Sequence, residues 1–437
     1  MRIVVLLSLT AAALSAAEAN APNFQQSGFS ETSTDWKVWS SRPELAPRTW
    51  IENNVSVGEK GSLAVSGNGN LGTFGGWQRT VTGIEPATWY RLTALYRHSG
   101  ITTPNWQIQP RLDWHSANGR RVGEVDYAYQ TTQDGEWTRV TLRTQAPANA
   151  SSVNLQLFLA HAPQGAVWWD NIAFERIAPP GPRNVTIATV NLRPKGSESA
   201  QQSVRQFVEL VERSVPANAD LILLPEGITI VGTNKRLADV AEAIPGPTTA
   251  VLGDLARKRK AYVAAGIYER EGQVIYNTAI LMDREGKLAG KYRKVYLPRE
   301  EMEQLAPGND YPVFKTDFGT IGMMICYDVF YADPARGLAG KGAEIVLLPI
   351  WGGDQTLAKA RAIENQIYLV SSGYDHPTYI MNPEGEKLAA APESGTVAVA
   401  TIDLNQSLRQ VNNNLGDMRN RRPRELRTDV DAVGAYR

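Results

Sequence analysis

Cysteine is nearly absent. The 437 residues hold one, Cys326, so no internal disulfide can form. A lone Cys is commonly a small buried hydrophobe, and the alternative is a free reactive thiol. Composition does not separate the two. Histidine is scarce as well. There are four, and His98, His115 and His161 lie in the first half. Only His376, beside Pro377 in loop-like sequence, shares the second half with Cys326. That leaves little room for a Cys–His protease pair. His, Cys and carboxylates do not cluster at zinc-ligand spacing, so no metal is expected. Charge of one sign is absent too, with 45 basic and 45 acidic residues. A polyanionic partner such as nucleic acid, or an anionic membrane surface, is therefore not implied. No apolar run reaches the roughly 20 residues of a membrane span. Neither a Walker-A nor a dinucleotide glycine motif occurs, and no cofactor is expected.

What is present divides the chain. Its length implies two or three domains. The start reads as a signal peptide over residues 1–19. Arg2 supplies the positive end, Ile3 to Leu14 the apolar run, and Ala17-Glu18-Ala19 a cleavage site. Export to a secreted or periplasmic location follows as an expectation. Ten of the eleven Trp then fall between Trp36 and Trp169. Runs such as Tyr90–Tyr96, Trp137–Arg143 and Val153–Leu159 alternate with period two, separated by turn residues, which predicts an all-β sandwich over 22–177. Residues 178–184 hold three prolines and a glycine and read as a stiff linker. From residue 185 to the end the texture is α/β. Val185–Asn191 reads as a strand, Ser203–Val215 has helical apolar spacing, and Leu221–Leu224 is a run fit for burial on both faces.

Three predicted strand ends each deliver a reactive group. Leu221–Leu224 runs into Pro225-Glu226-Gly227. An extended segment leads into Lys291-Tyr-Arg-Lys294-Val-Tyr-Leu-Pro298. Thr320–Ile325 runs into Cys326-Tyr327-Asp328. Catalysts gather at strand termini in α/β folds, so the three can meet. Taken singly, each has a bland reading: a solvated turn, a wet basic face and a core Cys.

Together, and in that order, the three motifs resemble the nitrilase-like carbon–nitrogen hydrolase family. Further likeness lies in Gly342–Pro349, Arg361–Asn365, the turn Met381–Gly385 and Arg421-Arg-Pro423. The resemblance implies a four-layer α-β-β-α sandwich that is a homodimer or higher homo-oligomer. It implies hydrolysis of a small-molecule amide or carbamoyl C–N bond, with Cys326 as nucleophile, Glu226 as base and Lys294 as oxyanion stabiliser. The Tyr327 N–H would be a second oxyanion donor, and Tyr327 and Trp351 are expected at the substrate. The family's second glutamate corresponds to Glu301, with Glu303 next in line. Nitrile hydrolysis and N-acyl transfer could use the same triad. Tyr327-Asp328 looks more like the amide and carbamoyl hydrolases than the nitrilases, which tend to carry Trp-Glu there.

The Trp-rich half resembles carbohydrate-binding jelly-roll modules, through Gly135–Val140 and Trp168-Trp169-Asp170-Asn171. A glycan ligand is one implication, since aromatic faces stack on sugars. A purely structural or dimer-forming sandwich is an equal reading. Strict alternation places one of Trp168 and Trp169 inside and the other outside. A catalytically silent glycan-binding protein is the alternative of a different class, and the intact Glu226, Lys294 and Cys326 argue against it.

Overall fold

The computed structural model describes residues 23–31, 35–408, 417 and 419. The signal peptide and Arg421-Arg-Pro423 lie outside them. The chain divides into two units between Pro180 and Gly181, the second running to Gln406. None of the helices among the described residues is long and apolar enough to cross a membrane.

The first unit is β-structured. A seven-stranded and a five-stranded sheet form it, and their strands pair antiparallel. Period-two alternation sends one side of each strand inward. Tyr90, Leu92 and Ala94 from one sheet share a core with Val153, Leu155 and Leu157 from the other. Trp169 is in that core, while Trp168 takes the opposite face and is half-buried. None of the ten Trp in this unit is exposed: Trp36, Trp114 and Trp169 are buried and the rest are half-buried. On the outer face of the five-stranded sheet Trp39 stacks flat on Phe158, with ring centroids 5.1 Å apart.

The second unit holds two six-stranded sheets. The first contains β1 (Asn184–Asn191), β2 (Leu221–Leu223), β3 (Tyr262–Glu271), β4 (Val274–Met282), β5 (Leu288–Arg293) and β12 (Thr396–Asp403), in the order β5-β4-β3-β2-β1-β12. The second runs β6 (Val313–Lys315), β7 (Thr320–Met323), β8 (Ile345–Pro349), β9 (Tyr368–Ser372), β10 (Thr378–Met381) and β11 (Lys387–Ala391). Each sheet has three parallel strands at its heart, β1-β2-β3 and β7-β8-β9. Helices α1 (Ala200–Ser214) and α2 (Pro247–Arg259) connect the first three, and α3 (Asp333–Gly340) and α4 (Gln355–Asn365) the second.

Side-chain direction explains the layering. In β2, Leu221 and Leu223 meet Ile321, Met323, Ile345 and Leu347 of the other sheet. Their neighbours Ile222 and Leu224 point the other way, onto Phe207 and Leu210 of α1 and Leu252 of α2. The same split places Val346 and Leu348 of β8 against Leu338 of α3 and Ala358 of α4. An unbroken apolar run is what a strand covered on both faces requires. Helix α1 starts earlier than its apolar spacing predicts, because the Ser199 hydroxyl caps it by accepting from Gln202 N at 3.3 Å.

One buried ionic cluster fixes β5, the strand that leads to Lys294. Glu269 on β3, with its side chain 3% exposed, accepts from Arg293 Nε at 2.9 Å and Nη2 at 2.6 Å. It also accepts from Thr278 Oγ1 at 2.9 Å and from Lys291 Nζ. Burial alone would raise its pKa. The bonds from Arg293 and Lys291 outweigh that and hold it at about 2, below the ordinary 4.5. A depressed carboxylate stabilises the fold above its unfolded pKa, and the gain is lost as pH falls through the folded value. A drop from 4.5 to about 2 corresponds to on the order of 3 kcal/mol. Glu269→Gln should therefore destabilise the protein by roughly that amount at neutral pH, and by progressively less from about pH 4.5 down to 2. Denaturant unfolding at a series of pH values measures the difference, and a pH-independent loss would contradict the assignment.

Candidate active site

Glu226 follows β2 directly. Its position depends on a close approach of two backbones. A Cβ on Gly266 of β3 would lie 2.6 Å from the Glu226 Cα, so only glycine fits there. Gly266 N donates to Pro225 O at 2.9 Å, and the Tyr374 hydroxyl donates to Glu226 O at 2.9 Å. Lys294 follows β5 and is held by its own main chain. Its N donates to Asn277 O at 2.9 Å, and its O accepts from Gly308 N at 2.8 Å.

These two residues meet in the interior. Glu226 is 2% exposed and Lys294 1%. The Lys294 Nζ stands 3.2 Å from Glu226 Oε1 and 2.8 Å from Glu301 Oε2. Asn277 Nδ2 bridges the same pair, donating to Glu226 Oε1 at 2.7 Å and Glu301 Oε1 at 2.9 Å. One ammonium and one amide thus hold two carboxylates. Burial by itself would depress the Lys294 pKa, but Glu226, Cys326 and Glu301 outweigh it and the net shift is upward, so Lys294 is charged. Glu301 is pushed up, by burial first and by Glu226, against the pull of Lys294. The second Glu226 oxygen, Oε2, is buried and has no hydrogen-bond partner among the described residues.

Cys326 follows β7 at the start of a short 3-10 helix, Cys326–Phe330. Its φ is +42°, a left-handed conformation that costs a non-glycine residue about 1–3 kcal/mol. Its Sγ lies 3.3 Å from the Gly352 carbonyl, to which the thiol donates. Burial pushes the thiol up to about 12, Glu226 adds to that, and Lys294 opposes it. At neutral pH the sulfur is therefore a thiol, and a base must take its proton before it can attack.

The other candidates sort cleanly. Glu303 is on the surface beside Arg299, 3.7 Å away. The Tyr327 ring joins Phe330 and Tyr331, with centroids 5.2 and 5.7 Å away. Trp351 packs edge-on against Tyr374. With Tyr268, Arg193, Ile230 and Lys235 it lines a cavity of about 480 Å³. Three residues were missed by sequence reasoning: Asn277, Tyr268 and Tyr374. Asn277 left a signal, as a polar residue inside the apolar run of β4. Tyr268 is buried, and Glu226, Glu301, Lys294 and Cys326 all act on its hydroxyl. Among the described residues, no group of three or more His, Cys, Asp or Glu is placed to hold a metal ion.

Comparison with known proteins agrees on the family. The carbon-nitrogen hydrolase family profile matches residues 186–410. A nitrilase of Pyrococcus abyssi is 32% identical over 238 residues, which is 50% of this chain and 90% of that protein. The omega-amidase NIT2 of Bos taurus is 30% identical over 239 residues, 48% of this chain and 85% of that protein. Among solved structures, Saccharomyces cerevisiae Nit3, a member of branch 10 of the nitrilase superfamily, is 26% identical. It has a TM-score of 0.48 and covers 53% of this chain and 94% of that one. The matched residues begin in β1 and take in Glu226, Lys294 and Cys326, and on this ground the chain belongs to the carbon–nitrogen hydrolase family as an amidase-type hydrolase.

Proposed function

We propose that this protein is an exported hydrolase of non-peptide amide or carbamoyl C–N bonds that works through a thioester on Cys326. The observation that carries the reading is one buried ammonium, Lys294, held between Glu226 and Glu301, with the second Glu226 oxygen left unpaired. Glu226 takes the thiol proton, and the sulfur attacks the carbonyl carbon. The oxyanion forms against Lys294 and the Tyr327 N–H. Glu226 returns the proton to the leaving nitrogen, the C–N bond breaks, and a thioester is left. Water then attacks with Glu226 again as base, releasing the acid and the thiol. Glu301 and Asn277 hold Lys294 and Glu226 in register. Trp351 borders the substrate. The omega-amidase relatives favour amides, and the nitrilase relative makes nitriles the second reading.

The same reading takes residues 1–19 as a signal for export and 185–437 as the hydrolase domain, a four-layer α-β-β-α sandwich acting as a homo-oligomer. The linker is 178–183, one residue shorter than the sequence suggested, because Asn184 already pairs with Asp403 as the first residue of β1. The unit over 22–177 is a jelly-roll sandwich, for which a glycan ligand and a structural role stand as equal readings, since three of its Trp are buried and seven are half-buried. Ammonia release from the purified mature chain tests the activity, with simple amides, ureido acids and nitriles as substrates. Amides or ureido acids should be turned over fastest. Turnover of nitriles alone would reverse the order, and release from none of them would remove the hydrolase reading.

A further inference from the structure

Asp328 is a fully buried carboxylate that the mechanism above does not use. Its contacts join the two segments that carry the nucleophile and the oxyanion cation. Oδ2 accepts from Ile325 N at 2.8 Å, closing the turn over Cys326, which sits between Ile325 and Tyr327 with φ at +42°. The same oxygen accepts from the Tyr292 hydroxyl at 2.6 Å, and Oδ1 accepts from Tyr296 N at 2.9 Å. Tyr292 and Tyr296 flank Lys294 two residues to either side. The Tyr292 hydroxyl in turn accepts from Val295 N at 3.3 Å, which ties the residue next to Lys294 into the same knot. Tyr292 is itself 1% exposed.

We propose that Asp328 is a positioning residue that sets the distance between the Cys326 thiol and the Lys294 ammonium, by locking the strained nucleophile turn to both flanks of Lys294. The proposal rests on the triad reading above and adds to it. Neither segment fixes the other through the main chain. Lys294 hangs from β4 of one sheet and from the loop residue Gly308, whereas Cys326 leaves β7 of the other sheet. A short carboxylate with two acceptor oxygens can serve both at once. Its charge suits three converging donors, since hydrogen bonds to an ionised acceptor are the stronger kind. An amide in its place offers one acceptor oxygen and turns N–H groups toward a donor.

The test uses the full chain, a simple amide as substrate and iodoacetamide as a probe that alkylates sulfur without building an oxyanion. Asp328→Asn should lower kcat about a hundredfold, the usual scale for an ångström of misplacement. KM should change less than about threefold, and the alkylation rate should fall far less than kcat, because alkylation needs the thiolate but builds no oxyanion against Lys294. Tyr292→Phe removes only one strut and should lower kcat about tenfold, with KM again unchanged. The double variant should be little worse than Asp328→Asn alone, since both changes cut one link. Wild-type kcat in Tyr292→Phe overturns the proposal, and that variant carries the test if Asp328→Asn fails to fold. Parallel losses of kcat, alkylation and thermal stability overturn it as well, because they mean general disorder. If the wild-type chain hydrolyses no amide, the triad reading fails first, and Asp328 loses its role with it.

Discussion

Cys326→Ala should abolish amide turnover, by roughly four orders of magnitude or more, the scale seen when a covalent nucleophile is removed. The fold should survive. The side chain is half-buried and donates to a single acceptor, the Gly352 carbonyl. Removing one sulfur should cost about 1 kcal/mol, and losing the covalent step cannot be compensated. Ammonia release and thermal unfolding, measured side by side, check the two halves of this statement. Mass spectrometry of the wild-type chain during turnover should find the acyl mass on the peptide that contains Cys326. Since the chain has one cysteine, any thiol adduct reports on that residue alone. Turnover in Cys326→Ala within tenfold of wild type would end the thioester mechanism.

Changing Glu226 and Lys294 separately should give two large losses with opposite electrostatic signatures. Glu226→Gln keeps the shape and leaves the Lys294–Glu301 pair, 2.8 Å apart, in place. It removes the base, so thioester formation and hydrolysis both fail. Lys294→Met removes a charge that stabilises the oxyanion, and about 3 kcal/mol or more of barrier lowering goes with it, roughly a hundredfold or greater in kcat. It also removes the cation that holds the Glu301 pKa down, so Glu301, already raised by burial, should rise further. The thiol reports the difference. Lys294 holds the Cys326 pKa down and Glu226 pushes it up. The pH profile of alkylation should therefore move to higher pH in Lys294→Met and to lower pH in Glu226→Gln, while turnover is lost in both. Shifts in the same direction would mean that the charges around the sulfur are assigned wrongly. Normal turnover in either variant would take that residue out of the site.

Much of this was legible in the residues. Each reactive group ends a segment whose apolar pattern announces a strand, and a strand end in an α/β fold is where chemistry collects. Those strand ends mark where Glu226, Lys294 and Cys326 stand, while their roles were what the resemblance to the carbon–nitrogen hydrolases implied; the break near residue 180 follows from three prolines that leave no regular structure. The alternation that predicted strands at Tyr90–Tyr96 and Val153–Leu159 falls within Trp89–Ser99 and Ser152–Ala160. The choice between Glu301 and Glu303 was not legible. They are two residues apart in one acidic cluster, and a short helix, Arg299–Met302, turns the first toward Lys294 and leaves the second on the surface. The place of the Trp was not legible either, because a period of two says which residues share a face and not whether that face is covered.

What the sequence determined by itself is a list of groups with strand-end addresses, because hydrophobic periodicity and turn residues are local properties of the chain. The tertiary structure decided which of them share a dielectric. Asn277 reaches both carboxylates only because β4 pairs with β3 in one register, and Asp328 reaches the flanks of Lys294 only because two sheets pack face to face. Those contacts span tens of residues, and the burial that sets the charges of Lys294 and Cys326 exists only once the layers have closed over them.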